Sequence, residues 1–311
     1  MQTIITLTMN PSVDVSTTVE RIIPEDKLRC GEATYDAGGG GINVARVIRR
    51  LGGEAQAIYT SGGATGRMLQ RMLDEEELDH YPVQIRERTR HNFTATDETT
   101  SEEFRFVLPG PTLSEAEWRS CLDALFTTEA PPAYMVASGS LPPGVPDDFY
   151  AEIARRGRER QVRVVVDAAG EALRLAMEAG VFLIKPNVQE LSALVGRELA
   201  ERSEHEAAVM EIVERGQSEV VVLSFGSEGA LVATREGCEW FYPPEVEAQS
   251  AVGAGDSMVA LIVLSLEQGS SLRDAVRYGI AAGAATAAQP GTELCSPEDV
   301  GHLAEQVVEE N

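Results

Sequence analysis

The chain has 311 residues, 43% of them hydrophobic, and 50 acidic side chains against 26 basic ones leave a net charge of −24. So acidic a surface disfavours nucleic acid and anionic membrane as partners. No apolar run approaches the ~20 residues of a membrane span and the amino terminus carries no basic leader, so the expectation is a cytoplasmic α/β protein with a sizeable core. Cys30, Cys121, Cys238 and Cys295 are far apart and form no C-x-x-C pair, which argues against both a disulfide framework and a metal cluster.

Residues 2–8 are β-branched and continuous enough for a central strand. They run into Asn10-Pro11-Ser12-Val13-Asp14. A carboxylate just past a strand's carboxyl end is well placed to hold a ligand in an open sheet, although Asp14 could equally cap a turn. Segments 13–19 and 28–35 are short and β-rich, and read as strands of a small accessory sheet. Lys27 and Lys185 are the only lysines in a chain that otherwise uses arginine, so both are candidates for positions that need a compact ammonium.

Gly38-Gly39-Gly40-Gly41 precede an amphipathic helix whose apolar face is Ile42, Val44, Ala45, Val47, Ile48 and Leu51. Glycines let backbone approach a ligand, and Asn43 in the first turn could bond a hydroxyl. The run matches neither a Walker loop nor a dinucleotide fingerprint. A strand at 55–60, a glycine loop at 61–66, a helix at 67–77 and a strand at 81–86 follow. Segments 88–96 and 102–107 read as a hairpin of the same small sheet. Its Arg90 and Arg105 are either ligands for a substrate phosphate or charges that protect an edge strand.

From residue 115 the alternation becomes regular: helix 115–126, strand 133–137, the turn-dense loop from Ser138 to Gly144, helix 147–160, strand 162–166 ending at Asp167, helix 171–178 and strand 181–184. Lys185-Pro186-Asn187 then opens a helix with Asn187 and Glu190 three apart, either a cap or a reach through water to a magnesium–phosphate complex. Strand 219–223 enters a second ligand-type loop, Ser224 to Gly229, before strands 229–234 and 239–242. Gly253-Ala254-Gly255-Asp256 leads into the apolar run 258–266, a tight loop opening a buried helix. The free N–H groups and partial positive charge of such a helix start suit a phosphoryl group. Asp256 beside them could take the proton of an attacking hydroxyl, or be only an N-cap. Segment 280–288 is helical and rich in small residues.

Together and in this order, these stretches resemble the PfkB (ribokinase-like) family of sugar kinases over nearly the whole chain. Gly253 to Asp256 resembles its C-terminal signature, and Gly38 to Arg46 its N-terminal one. Ile5-Thr6-Leu7-Thr8, Lys27-Leu28-Arg29-Cys30, Ser138-Gly139-Ser140-Leu141-Pro142-Pro143-Gly144, Lys185-Pro186-Asn187, Glu190-Leu191-Ser192-Ala193-Leu194 and Val252 to Met258 fit the branch that phosphorylates fructose 6-phosphate. Relatives that act on fructose 1-phosphate or tagatose 6-phosphate usually carry a lysine within the glycine run, where this chain has glycine.

The resemblance implies a single ribokinase-like domain, 1–311. Its core would be three-layer α/β/α with a mostly parallel sheet, and its lid a small β-sheet from about 12–35 and 88–108 that pairs with a second copy in a homodimer. It implies ATP-dependent, in-line phosphorylation of fructose 6-phosphate at O1. Asp256 would be the base, with Gly253, Ala254 and Gly255 as the anion hole. Asp14, Gly39, Asn43 and Ser140 (rather than Ser138) would hold the sugar, and Arg90 and Lys27 its phosphate, Lys27 across the dimer. Lys185, Asn187, Ser224, Gly226 and Gly229 fall on the ATP side, with Glu190 organising Mg²⁺ through water. A K⁺ site is implied near Ser250, Val252, Thr286, Gln289, Gly291 and Glu293. The alternatives are a 1-phosphofructokinase or tagatose-6-phosphate kinase of the same fold and, more remotely, a non-catalytic sugar-phosphate binding protein, against which Asp256 and the intact Gly-Ala-Gly argue.

Overall fold

A computed structural model describes residues 4–127 and 131–310. The first half contains β1 (Ile4–Thr8), β2 (Ser12–Val19), β3 (Thr34–Gly38), α1 (Gly40–Arg50), β4 (Ala55–Ser61), α2 (Gly63–Glu75), β5 (Asp79–Gln84), β6 (Arg90–Asp97), β7 (Glu103–Phe106) and α3 (Glu115–Phe126). Next come β8 (Tyr134–Ser138), α4 (Phe149–Glu159), β9 (Arg163–Asp167), α5 (Gly170–Ala179), β10 (Val181–Ile184), α6 (Val188–Val195), α7 (Arg202–Glu214) and β11 (Ser218–Ser224). The chain closes with β12 (Ala230–Thr234), β13 (Gly237–Tyr242), α8 (Ala254–Glu267), α9 (Leu272–Ala287), α10 (Pro297–Ala304) and β14 (Val308–Glu310).

The main sheet has the order β14-β13-β12-β11-β10-β9-β8-β1-β4-β5. From β5 to β11 each neighbouring pair is parallel, while β12, β13 and β14 extend one edge antiparallel. Its parallel strands are apolar on successive residues because both faces are covered. In β9, Val165 faces one layer while Val164 and Val166 face the other. Helices α1, α2, α8, α9 and α10 cover the first face, and α3 to α7 the second. The result is a ribokinase-like α/β/α sandwich. Within it α8 is deeply enclosed: Val259, Ala260, Ile262 and Val263 have no exposed surface. Glycines of α9 permit that contact, since a Cβ on Gly279 would come 2.5 Å from Ile262. Among the described residues no helix is long and apolar enough to cross a membrane.

A second sheet of four strands, β3-β2-β6-β7, stands apart from the sandwich. Register places Asp14 of β2 between Asp36 of β3 and Asn92 of β6. The opposite face carries exposed aromatics, Tyr35, Phe93, Phe104 and Phe106.

Several boundaries differ from the sequence reading. The strand expected at 28–35 lies at Thr34–Gly38, and of the earlier residues only Cys30 forms a bridge, to Val19. The glycine run is therefore the end of a strand and the start of a helix. Asp14 lies inside β2, as the strand expected at 13–19 implies, so it does not cap a turn after β1. Helix α2 begins at Gly63, four residues early, and β5 two residues early. Residues 2 and 3 of the first expected strand lie outside the described residues. Helix α7 and strand β14 were not foreseen; α7 is so acidic on its open side that its buried stripe, His205, Ala208, Val209, Ile212 and Val213, is easily missed.

Candidate active site

Strand β1 pairs with β8 on one side and β4 on the other, so the chain leaves it in opposite directions. Such a switch point opens a crevice at the carboxyl ends of the strands. A cavity of about 530 Å³ lies there, lined by Gly40, Ser138, Ser140, Asp167, Glu190 and Asp256 among others.

Asp256 sits in the first turn of α8, whose N-cap Gly253 has φ 77°. That left-handed conformation suits glycine. It leaves the N–H groups of the first helical turn without intrahelical acceptors. Asn43 Nδ2 donates to Asp256 Oδ2 at 2.9 Å, and Ser138 bonds the same carboxylate. The close approach of α1 depends on its glycines: a Cβ on Gly40 would come 2.0 Å from Ser138 Oγ and 3.0 Å from Asp256 Oδ1. A Cβ on Gly39, at φ 123°, would come 2.6 Å from Thr8. Burial pushes the Asp256 carboxyl up to about 7, and the charge of Asp167 adds to it, while Asn43, Lys185 and Ser138 oppose. Asn43 is itself fixed by Arg46, which is 5% exposed. The Arg46 guanidinium forks onto Glu76 at 2.7 and 2.5 Å and turns Nη1 to the Ala37 carbonyl and to Asn43 Oδ1, at 3.2 and 3.4 Å.

On the side of the small sheet, Asp14 Oδ1 accepts from Ser12 Oγ at 2.6 Å and Asn92 Nδ2 at 2.8 Å. Gly38 lies against the other oxygen, 2.3 Å from where its Cβ would be. Arg90 donates to the carbonyls of Leu108 and Asn10, at 2.8 and 3.0 Å. Burial pulls its guanidinium below the ordinary range, against the pull of Asp14. Asn10 Nδ2 donates to Ser140 Oγ at 3.1 Å. Arg90 Nε and Asn10 Oδ1 are buried without partners among the described residues. Such orphaned atoms carry a desolvation cost that a polar ligand would relieve.

Across the crevice, Lys185 Nζ lies 3.4 Å from Asp167 Oδ1 and beside Gly255. Burial pulls its ammonium down, but the carboxylates of Asp167, Asp256 and Glu190 outweigh this and hold it above the ordinary value. Asn187 and Glu190 form a reciprocal capping box at the start of α6, with bonds of 2.8 and 2.9 Å. The structure therefore gives this pair the cap reading, with Glu190 still at the cavity wall. Ser224 bridges to Asn187 and donates its N–H to the Pro186 carbonyl at 2.9 Å. Gly226 is open, with φ 63°, whereas a Cβ on Gly229 would come 2.1 Å from the Phe241 carbonyl, so packing alone demands that glycine. Behind Gly253, the N–H groups of Gln249 and Ser250 both reach the Ala287 carbonyl, at 2.7 and 3.1 Å. Those bonds bring the 249–253 loop onto the end of α9. Thr286 Oγ1, fully buried, donates to Ser257 Oγ at 2.7 Å and accepts from Cys295 N–H at 3.2 Å. Gly291, at φ 60°, and Glu293 turn the chain back toward it.

The structure thus gathers Asp256, Asn43, Gly39 and Lys185 around one crevice, with Asp14 and Arg90 on the small sheet beside it. Lys27 is exposed between β2 and β3 and is not among the residues that line the cavity. Arg105 is exposed and paired with Glu103 at 2.5 Å. Sequence reasoning passed over Asp167, Asn10, Asn92 and Arg46. Asp167 had a usable signal, a carboxylate at the carboxyl end of a buried strand. Ser138 is the serine on Asp256, while Ser140, given the sugar contact by the sequence reading, accepts from Asn10.

The family model for "pfkB family carbohydrate kinase" matches residues 4–299. An ATP-dependent 6-phosphofructokinase isozyme 2 of Mycobacterium tuberculosis is 45% identical over 306 residues, 98% of this chain and 90% of that protein. The isozyme of the same name in Escherichia coli is 44% identical over 300 residues, 96% of this chain and 97% of its own. Phosphofructokinase-2 from Escherichia coli in complex with potassium superposes with a TM-score of 0.95 at 43% identity, over 98% of this chain and 99% of that one. Its complex with fructose-6-phosphate gives a TM-score of 0.93 at 42% identity, over the same shares.

Proposed function

The chain belongs to the pfkB family of carbohydrate kinases, and we propose that it transfers the γ-phosphoryl group of ATP to O1 of fructose 6-phosphate. The observation that carries the reading is the buried Asp256 carboxylate at the open N-terminus of α8, held by Asn43 and Ser138. The substrate follows from relatives of that activity at 45% and 44% identity over nearly the full chain.

In the proposed reaction Asp256 takes the proton of the O1 hydroxyl. The O1–P bond forms as the bond from phosphorus to ADP breaks. Asn43 and Ser138 hold the carboxylate toward O1. The N–H groups at Gly253, Ala254 and Gly255 receive the transferring group, and Lys185 bonds its oxygens. Because the transferring phosphoryl is loose, positioning and charge stabilisation matter more than the strength of the base. Asp14, Gly39, Asn43 and Ser140 line the sugar subsite. Arg90, with its unused Nε, takes the 6-phosphate.

Asp147, Asp167, Glu171, Glu190 and Asp256 all line the cavity. A wall of carboxylates would repel a nucleotide's phosphates unless cations accompany them, so the residues fit Mg²⁺ bound with ATP, Glu190 acting through water and Asn187, Ser224 and Gly226 lining the nucleotide path. Mg²⁺ supplies neutralisation of the phosphate charge. For K⁺, the abutting segments with Ser250, Val252, Thr286, Gln289, Gly291 and Glu293 offer backbone oxygens behind the anion hole, where a cation would steady the 249–253 loop. The exposed aromatic face of the small sheet suits a second copy of the chain, with the sheet acting as a lid and Lys27 reaching the partner's substrate.

The test is ADP formation from Mg-ATP with fructose 6-phosphate, fructose 1-phosphate and tagatose 6-phosphate compared side by side, with Asp256→Asn as control. Selective turnover of fructose 6-phosphate that collapses in the variant is expected. Preference for another sugar would keep the mechanism and reject the substrate. Binding without ADP formation would leave only a sugar-phosphate binding protein.

A further inference from the structure

At the amino ends of β9, β10 and β11, on the side of the sheet away from the crevice, lies a second cavity of about 390 Å³. Its polar lining is Arg158, Arg163, Arg235, Gln161, Ser218 and Glu219. Three guanidiniums thus face one carboxylate, in a chain whose acidic side chains outnumber basic ones by 50 to 26. None of the three has an ion-pair partner among the described residues.

Two of the three are held in place. Arg158 turns Nη2 to the carbonyls of Ala179 and Gly180, the latter at 3.1 Å, which satisfies the carboxyl end of α5. Arg163 donates Nη1 to the Tyr134 hydroxyl at 2.6 Å and lies over the rings of Tyr134 and Phe182, 5.5 and 5.1 Å from their centroids. Each guanidinium has five donors, so both keep free N–H groups. Arg235, exposed in the turn between β12 and β13, has no hydrogen-bond or ion-pair partner among the described residues.

We propose that this cavity binds a compact multivalent anion, a phosphate or diphosphate group, either free or carried by a small metabolite. Planar forked donors match phosphate oxygens in pairs, and fixed guanidiniums lose little freedom on binding. The acidic surface elsewhere excludes a nucleic-acid backbone. The site is separate from the catalytic crevice: Arg163 and Asp167 are the two ends of β9, about 13 Å apart at ~3.3 Å per residue.

The test is calorimetric titration of the whole protein with diphosphate at fixed ionic strength and without divalent metal. Wild type is expected to bind diphosphate at this cavity, since the carboxylate-lined crevice repels phosphates that no cation accompanies. In Arg163→Gln/Arg235→Gln that binding should weaken by about tenfold or more, with kcat within about twofold of wild type because neither residue touches the crevice. Arg235→Gln alone, on an unpacked turn, should weaken it in the same direction if the double variant does not fold. Repeating the titration with glycerol phosphate separates the sources: tighter diphosphate points to the free anion, tighter ester to a metabolite, and either supports the site. No binding by wild type, or binding unchanged in both variants, overturns it.

Discussion

Gly255 and Lys185 are fitted to each other: a Cβ on Gly255 would stand 3.1 Å from Lys185 Nζ and 3.3 Å from Cε. The glycine keeps the anion hole uncovered and the ammonium beside it. Gly255 is helical and not at positive φ, so alanine meets no backbone strain there and should gain up to about 1 kcal/mol of helix propensity. Gly255→Ala is therefore expected to melt at or above the wild-type temperature while kcat falls about 100-fold or more. A variant that loses stability and activity together would reduce the contact to packing.

The pH dependence follows from Asp256. Its carboxyl titrates at about 7 in the folded protein, mainly through burial and the charge of Asp167. A base must be ionised, so kcat/KM should fall as pH drops through about 7. Asp167→Asn should move that limb to lower pH, and Lys185→Met to higher pH. Stability moves the other way. Because the folded value lies above the unfolded one, ionised Asp256 costs the native state stability above pH 7, and that cost fades as pH falls through 7 toward the ordinary carboxylate range. Asp256→Asn should raise Tm at pH 8 by about 2 °C or more and leave it nearly unchanged near pH 4. A flat profile from pH 5.5 to 8.5 would remove Asp256 as the base.

Ser138 and Ser140 separate chemistry from binding. Ser138 bonds the base and Ser140 bonds Asn10, beside Arg90. Ser138→Ala should lower kcat and shift the acid limb upward, since its bond favours the ionised carboxylate. Ser140→Ala should act on KM for the phosphosugar by about five- to tenfold. An exchange of these two signatures would overturn the assignment of the sugar contact to Ser140.

The serine on Asp256 marks where the sequence stops being legible. Gly253 to Asp256 could be read because its chemistry is local: a few consecutive residues open a helix and place a carboxylate in its first turn. Lys185 stood out through rarity. The Ser138–Asp256 contact joins residues 118 positions apart through α1, and nothing in the tripeptide Ser138-Gly139-Ser140 says which hydroxyl faces α8. Strand β3 was misplaced for a related reason. Segment 28–33 has the composition of a strand but no partner beyond the Cys30 bridge, while Gly38, a poor strand residue, belongs to one because only glycine fits under Asp14. The alternation of the sandwich, by contrast, was readable almost throughout, because buried parallel strands and amphipathic helices differ in period over several residues.

Arg46 should act through Asn43. Its fork onto Glu76 and its bond to Asn43 Oδ1 leave the Asn43 amide nitrogen facing Asp256. Lysine at this position keeps the charge but not the fork. Arg46→Lys is expected to lower kcat about tenfold and to raise the midpoint of the acid limb, because the Asn43 bond helps keep Asp256 ionised. A purely structural role would lower Tm and leave the limb where it was.

Salt should act on this protein in two separable ways. A net charge of −24 makes the compact state repel itself, and the screening length falls from about 10 Å at 0.1 M salt to about 3 Å at 1 M. Tm should therefore rise between 0.1 and 2 M salt, and in NaCl as well as in KCl, since screening depends on ionic strength and not on the identity of the cation; K⁺ bound to the native state would add to the rise in KCl alone. Turnover should discriminate between them. The 249–253 loop is tied to the end of α9 by two bonds to a single carbonyl, and the anion hole begins at its last residue. A K⁺ ion held by the backbone there would set the position of Gly253, so kcat at constant ionic strength should rise as K⁺ replaces Na⁺. Equal kcat in the two salts would reject the cation site and leave screening intact. A Tm independent of salt would reject self-repulsion of the acidic surface as a cost to stability and leave the cation site untouched.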